Sequence, residues 1–300
     1  MKLKSKSLQS RWTGYWFVMP LVMIVFVFLI YPIVKAALMS VQYWYLPKPS
    51  PEGNYFVGLE NYKYVLTSKY FHRSLKITTL YIVITVIARF ILGLGTALLL
   101  DVNFKGRALA RALVIIPWAI PEVVACLIWV LMYDKDFGII NYILTNIGIL
   151  DSNLAYLMNP EITLPAAMVV NIWKGFPFVA IMLLAGLQSI PGELYEAATV
   201  DGANVWQRFQ KITLPALKPV SVIVFLLLVV WTIKDFGIIY LLARGGPSRA
   251  TEILTVFTYQ QAFKFFDFGR ASASGMIMLI FSMIFTFFYL KMLKGGELYE

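Results

Sequence analysis

Arg89, Glu122 and Lys174 stand in the middle of long apolar runs of this 300-residue chain, and Lys234 and Asp235 stand near the end of another. A charge facing lipid is costly, so each mid-run group must face protein or a water-filled cavity. Two kinds of chemistry fit: mutual pairing, or lining a path for polar cargo. Pairing suits Glu122 with Arg89, with Lys174 as the alternative partner. A path suits Asn171 and Lys174, which share a helical face at i, i+3 with Phe178 one turn further. Trp173 is adjacent in sequence but about 100° round the helix. Trp231 forms a second polar and aromatic set with Lys234 and Asp235. Catalysis has no comparable support, because HExxH, GxSxG and clustered Cys/His are absent. The single cysteine, Cys126, falls inside an apolar run, and the single histidine, His72, falls in a loop. One cysteine allows neither an intrachain disulfide nor a cysteine-based metal site, and no catalytic or metal-ligating residue is assigned.

The elements that must position these residues are membrane helices. Hydrophobic residues make up 60% of the chain and charged residues 14%, against roughly 45–50% and about 25% in soluble domains. A span needs roughly 20 predominantly apolar residues. Six runs qualify, at about 15–40, 77–100, 110–133, 164–186, 219–242 and 274–293. The expected fold is an all-α polytopic membrane protein: one six-span domain over 15–294, with tails at 1–14 and 295–300. Lys2, Lys4, Lys6 and Arg11 precede the first run as in a signal peptide. That run exceeds the roughly 7–15 residues of a signal h-region, so it reads as an uncleaved first span. Pro117 and Pro121 fall in the third run, where kink and hinge both fit. Gly93-Leu94-Gly95 reads as helix packing.

Charge sets the expected orientation. Segments 1–14, 101–111, 187–218 and 291–300 carry 12 basic and 6 acidic residues in 67 positions; the alternate segments carry 11 and 9 in 106. By the positive-inside rule both termini are cytoplasmic. The net charge of +10 is explained by these loops; no basic patch stands clear of a span to bind nucleic acid. The outer loops are long, and the first holds Tyr43, Trp44, Tyr45, Tyr55, Phe56, Tyr62 and Tyr64. An interfacial aromatic belt and an outer docking surface both fit these residues.

The loop 187–218 between spans four and five is polar and helix-forming. Ser189 is a candidate N-cap, Pro191 suits a first turn, and Glu193 and Glu196 oppose the helix dipole. Leu194, Ala197 and Ala198 share a face. Asp201-Gly202 ends this helix. A second runs from about 203 to 211, with Val205, Phe209 and Ile212 on one stripe; Leu214-Pro215 stops it and Pro219 opens the next span. The product is a helix-turn-helix bracket along the membrane surface. A simple amphipathic connector and a docking element both fit it.

The spacing within this bracket is specific. Glu196, Ala197, Ala198, Gly202, Ile212, Leu214 and Pro215 match, at all seven positions, the EAA loop of binding-protein-dependent ABC importer permeases. The wider string IPGELYEAATVDGANVWQRFQKITLPALKP resembles the carbohydrate branch, MalF/UgpA-like subunits in particular. Phe56-Val57-Gly58-Leu59-Glu60-Asn61-Tyr62 and the stretch from Thr251 to Ala273 resemble other strings of that branch. Some MalF-like members carry extra N-terminal spans and a large outer domain, and no role of those parts is carried over to the six runs read here.

The resemblance implies a type I ABC importer permease with its coupling loop between helices 4 and 5. Glu196, Ala197, Ala198, Asp201, Gly202, Ile212, Leu214 and Pro215 would then couple to a cytoplasmic ATPase, with Glu196 pairing a basic group there. It implies two such ATPase subunits, a second MalG-like permease making a heterodimer, and an extracytoplasmic substrate-binding protein. The setting would be a prokaryotic inner membrane. The chain carries no GxxxxGK[ST] phosphate loop, so ATP and Mg would belong to the ATPase, with no cofactor in this chain. Sugars are bound by polar groups and flat aromatic faces, which makes Asn171, Trp173, Lys174, Phe178 and Trp231 the expected path for a carbohydrate. An ion-coupled secondary transporter is the alternative; it needs its own coupling-ion site and usually an internal repeat, and no repeat is found. An intramembrane enzyme would need a nucleophile–base or metal constellation.

Overall fold

A backbone crossing lipid must satisfy its own hydrogen bonds, so apolar runs of this length fold as helices. A computed structural model describes residues 5–51 and 53–296, and side-chain surroundings from Tyr15 to Lys291 except Glu52. Lys2 and Lys4 of the basic tail, and residues 297–300 of the C-terminal tail, lie outside the described residues. The chain forms α1 (Ser5–Val25), a π-helical turn (Phe26–Ile30), α2 (Tyr31–Ser40), α3 (Glu60–Thr67) and α4 (Lys69–Asp101). Then come α5 (Arg107–Ala119), α6 (Glu122–Met132), α7 (Ile139–Asn146), α8 (Thr163–Gln188) and α9 (Gly192–Val200). The remainder is α10 (Val205–Arg208), a second π-helical turn (Phe209–Thr213), α11 (Leu214–Ile233), α12 (Gly237–Ala243), α13 (Leu254–Phe263) and α14 (Phe268–Gly296). The described residues contain no β-strand, only two isolated bridges. Five helical stretches are long and apolar enough to span a membrane, six if the bent pair of α5 and α6 counts as one span.

Two spans, the third and the fifth, depart furthest from the expected boundaries. The third run is not one helix: α5 and α6 meet at 94° across Ile120 and Pro121. Pro121 has no N–H to continue α5, and the residue before a proline is driven out of the α region; Ile120 has φ −65 and ψ 133. The fifth span starts earlier, because helix runs unbroken from Val205 to Ile233 through Leu214-Pro215. The π turn Phe209–Thr213 widens the ladder just ahead of Pro215, where the ring would strike an α-helical carbonyl. The first span repeats the device, with π turn Phe26–Ile30 just ahead of Pro32. This fifth helix also ends at Ile233, short of the expected 242, and a separate short helix follows.

The chain divides into two units. The first, Met1–Ser68 with Thr258–Ile280, is held by polar anchors. Asn61 Nδ2 donates to the main-chain oxygens of Ser40 (3.0 Å) and Gln42 (2.8 Å), and Tyr62 shares a hydrogen bond with Ser40. The Arg270 guanidinium lies 3.5 Å from the Tyr64 ring centroid and pairs with Asp267 at 3.2 Å. Gly269 is required by close approach: a Cβ there would come within 2.6 Å of the Gln42 oxygen. The loop aromatics are therefore neither wholly belt nor wholly docking surface. Tyr43 stacks on Tyr55 and Trp44 packs on Phe268, while Phe56 remains 74% exposed.

The second unit, Lys69–Phe257 with Phe281–Glu300, is built around α8. This helix packs chiefly on α4, and also on α5, α11 and α12. Gly93 lets α4 approach, since a Cβ there would lie 2.5 Å from the Val179 side chain. Two apolar clusters result. One includes Tyr81, Trp129, Val170 and Ile239; the other includes Val86, Val179, Leu183, Leu217 and Leu228. Along α8 the polar residues Asn171 and Lys174 fall between Val170 of the first cluster and Val179 of the second.

Candidate functional site: a polar cavity and a braced surface bracket

Between α4, α8 and the end of α11 the second unit holds a cavity of about 360 Å³, within the roughly 300–1,000 Å³ of small-molecule sites. Arg89, Glu122, Asn171, Lys174 and Asp235 all line it. Asp235 is its centre: one carboxylate oxygen, Oδ2, accepts from Tyr81 OH at 2.5 Å and from Asn171 Nδ2 at 2.6 Å. Arg89, 7% exposed, donates through Nε to the Asn171 main-chain oxygen at 3.1 Å. Lys174 Nζ donates to the main-chain oxygen of Ile120 at 2.6 Å, satisfying a carbonyl that the broken span leaves without a helical partner. Asn171 Oδ1 is buried and has no hydrogen-bond partner.

Two glycines make room for the charges. A Cβ on Gly175 would fall onto the Arg89 guanidinium, and a Cβ on Gly237 onto the Glu122 carboxylate. The cavity also has an aromatic wall: Trp118 lies 6.1 Å from Phe178, and Phe178 lies 4.9 Å from Trp231, centroid to centroid.

The structure thus brings Arg89, Glu122, Asn171, Lys174, Phe178 and Trp231 together around one space. Trp173 points elsewhere, edge-on to Trp129 at 5.6 Å in the apolar cluster. The anticipated direct pair of Arg89 with Glu122 is not made. Arg89 spends its Nε on the main-chain oxygen of Asn171. Sequence reasoning missed Tyr81, Trp118, Gly175 and Gly237. Of these, Tyr81 had a readable signal, a hydroxyl two helical turns before Arg89. The described residues contain no group of three His, Cys, Asp or Glu placed to hold a metal.

The 187–218 loop folds as a braced bracket. Pro191, not Ser189, occupies the N-cap position of α9. Gly202 turns the chain at φ +75, where L side chains are strained. Asn204 then caps α10 in a reciprocal capping box with Gln207. Two side-chain bonds tie the arms: Tyr195 OH to Thr213 Oγ1 at 2.9 Å, and Arg208 Nη1 to Thr199 Oγ1 at 2.8 Å. Glu196 and Ala197 are exposed. Beside them Leu194 is 49%, Val200 89%, Val205 74% and Trp206 62% exposed. Apolar groups clustered on the outside of a rigid polar element mark an interaction surface.

Membrane helices, a polar cavity among them and an exposed bracket continuous with one of them are the arrangement of a membrane transport subunit. The model of the binding-protein-dependent transport system inner membrane component matches residues 89–293, and the chain belongs to that family. It is 37% identical to the trehalose/maltose transport system permease protein MalF of Thermococcus litoralis, over 93% of this chain and 92% of that one. It is 33% identical to the sulfoquinovosyl glycerol transport system permease protein SmoG of Agrobacterium fabrum, over 93% and 89%. Its fold superposes on a chain of the bacterial ABC transporter involved in import of the acidic polysaccharide alginate. That match has TM-score 0.83 and 25% identity and covers 96% of both chains. None of these findings favours an ion-coupled transporter.

Proposed function

We propose that this chain is one of two permease subunits of an ATP-driven carbohydrate importer, and that its bracket receives the stroke of a separate ATPase. The exposed, doubly braced bracket carries this reading. Its outer face presents Glu196, Ala197 and Ala198, and its inner arm is the start of the fifth span. A rigid element joined without a break to a membrane helix moves that helix as a unit. Asp201 and Gly202 form the turn, and Ile212, Leu214 and Pro215 lie at and beyond the π turn that links bracket to span. The cargoes of the MalF, SmoG and alginate relatives favour a saccharide or glycoside as cargo here.

In this reading the bracket faces the cytoplasm, both termini with it, in a prokaryotic inner membrane. ATP and Mg are handled by two ATPase subunits, the second permease is MalG-like, and a binding protein delivers cargo from outside. Asn171, Lys174, Phe178 and Trp231 line the path. The unpartnered Asn171 Oδ1, buried in this state, accepts from a cargo hydroxyl once the cavity opens, and Phe178 and Trp231 offer ring faces to a sugar. Trp173, turned toward Trp129, supports the wall without touching cargo. Co-purification with an ATPase tests the reading. Glu196→Lys and Gly202→Pro are expected to abolish it while membrane insertion persists; sugar uptake that proceeds with no ATPase present overturns it.

A further inference from the structure

A second cleft, of about 230 Å³, lies away from the polar cavity, at the bracket end of the second unit. Its walls are apolar: Val114 and Ile115 of α5 and Ile181 and Leu184 of α8. Arg111 and Gln188 also line it, and Arg107 stands one helical turn before Arg111. Arg107 Nε donates to the main-chain oxygen of Leu100 at 2.6 Å, and Arg111 Nη2 reaches the same oxygen at 3.4 Å. With the Gln188 amide oriented to satisfy both arginines, its oxygen accepts from Arg107 at 3.2 Å and from Arg111 at 2.6 Å. One carboxylate answers the two cations: Asp101, 3.6 Å from Arg107 and 41% exposed. Arg111 is left incomplete, because its Nε is buried with no hydrogen-bond partner.

We infer that this cleft is a binding site for an anionic phospholipid. Its phosphate completes the Arg111 fork, and an acyl chain lies along Val114, Ile115 and Ile181. The chemistry is that of a basic pocket between membrane helices, which selects anionic headgroups. A guanidinium suits it, since it offers paired N–H donors to phosphate. The excess of cation over carboxylate supplies the charge, and the apolar walls explain why a lipid rather than free phosphate is the occupant. The location gives the site a consequence. Gln188 is the last residue of α8 and leads into α9 four positions later, so a lipid held there steadies the hinge through which the bracket joins α8.

The test uses the purified transporter complex in neutral detergent. Thermal unfolding is followed with added phosphatidylglycerol, phosphatidylcholine or inorganic phosphate, and bound lipid is counted by native mass spectrometry. Phosphatidylglycerol is expected to raise the unfolding midpoint and the other two are not. Arg111→Gln is expected to weaken phosphatidylglycerol binding about tenfold, the loss of one charge-assisted hydrogen bond. Ala185→Trp fills the cleft while keeping both arginines, and is expected to do the same. Stabilisation equal for all headgroups, produced by inorganic phosphate alone, or unchanged in both variants overturns the proposal. So does a result in which Arg111→Gln weakens the hold on the ATPase and leaves lipid binding intact.

Discussion

Lys174 of α8 holds the main-chain oxygen of Ile120, 2.6 Å from its ammonium, at the residue where the third span breaks. The bend and the charge explain each other. Pro121 prevents α5 from continuing and leaves α5 carbonyls without amide partners. A cation at a helix C-terminus satisfies one and complements the dipole. The same residue lines the cavity, so one side chain ties the cavity wall on α8 to the break between α5 and α6.

Lys174→Met keeps the length of the side chain and removes the donor. It is expected to cost roughly 1.5–3 kcal/mol, the range for a hydrogen bond to a charged group, and to abolish uptake while the subunits still assemble. Lys174→Arg is expected to restore most of the stability. Thermal unfolding of the purified complex and uptake into proteoliposomes measure the two effects. Full uptake by the Met variant would show that the latch has no part in transport.

Gly175→Ala tests the accommodation of Arg89. The added methyl meets the guanidinium where it passes between α4 and α8, and overpacking of this kind costs roughly 1–3 kcal/mol. Combining it with Arg89→Leu, which removes the obstructed group, is expected to recover stability relative to the sum of the single changes. Contacting residues couple by about 0.5–3 kcal/mol. Additive losses in the double-mutant cycle would mean that the two residues do not share this space.

Much of this arrangement is readable from residue types alone, and the failures have physical causes. Hydropathy located the apolar runs, because a span must be long and uncharged. It could not locate their ends where proline intervenes. Pro121 and Pro215 have the same chemistry, yet one breaks a helix and the other is absorbed by a π turn. At Pro121 Lys174 takes up the Ile120 carbonyl at the break, whereas ahead of Pro215 a widened π turn keeps the chain helical. Arg89 is buried, Lys174 half-buried and Glu122 exposed on the cavity wall, and their partners are not the ones that opposite sign suggests. Pairing by opposite sign joined Arg89 to Glu122, whereas Arg89 found a main-chain oxygen and Asp235 found two neutral donors, Tyr81 and Asn171. Neutral donors carry no charge signal in a sequence. The glycines that admit Arg89 and Glu122 were illegible because their need is set by residues on other helices.

Asn171→Leu separates the polar network from its shape. The substitution removes one donor to Asp235 and the unpartnered Oδ1 together, and leaves Asp235 with Tyr81 alone on that oxygen. Uptake is expected to fall by at least about tenfold, one lost polar contact's worth, with basal ATPase activity of the complex unchanged. Tyr81→Phe, which lies behind Asp235 and not in the cavity lining, is expected to have the smaller effect on uptake and the same or larger effect on stability. If the two variants impair uptake equally, the network acts as structural support and not as a cargo contact.

Gly202 sets the angle of the bracket, and the reason is conformational rather than steric. Its φ is +75, and a Cβ there would meet nothing within 4 Å. Gly202→Ala is therefore expected to cost roughly 1–2 kcal/mol for the left-handed backbone without disturbing neighbours, and Gly202→Asn less, because Asn tolerates that region. Tyr195→Phe removes the brace to Thr213 and leaves the turn intact, at a cost of about 0.5–1.5 kcal/mol. If the bracket works as a rigid lever, both Gly202→Ala and Tyr195→Phe should reduce transport per ATP hydrolysed while the complex stays assembled. Gly202→Asn should lie between wild type and Gly202→Ala. The ratio of uptake to hydrolysis in proteoliposomes is the deciding measurement. An unchanged ratio in Tyr195→Phe, with unfolding temperature lowered as expected, would mean that the brace stabilises the fold without carrying the stroke.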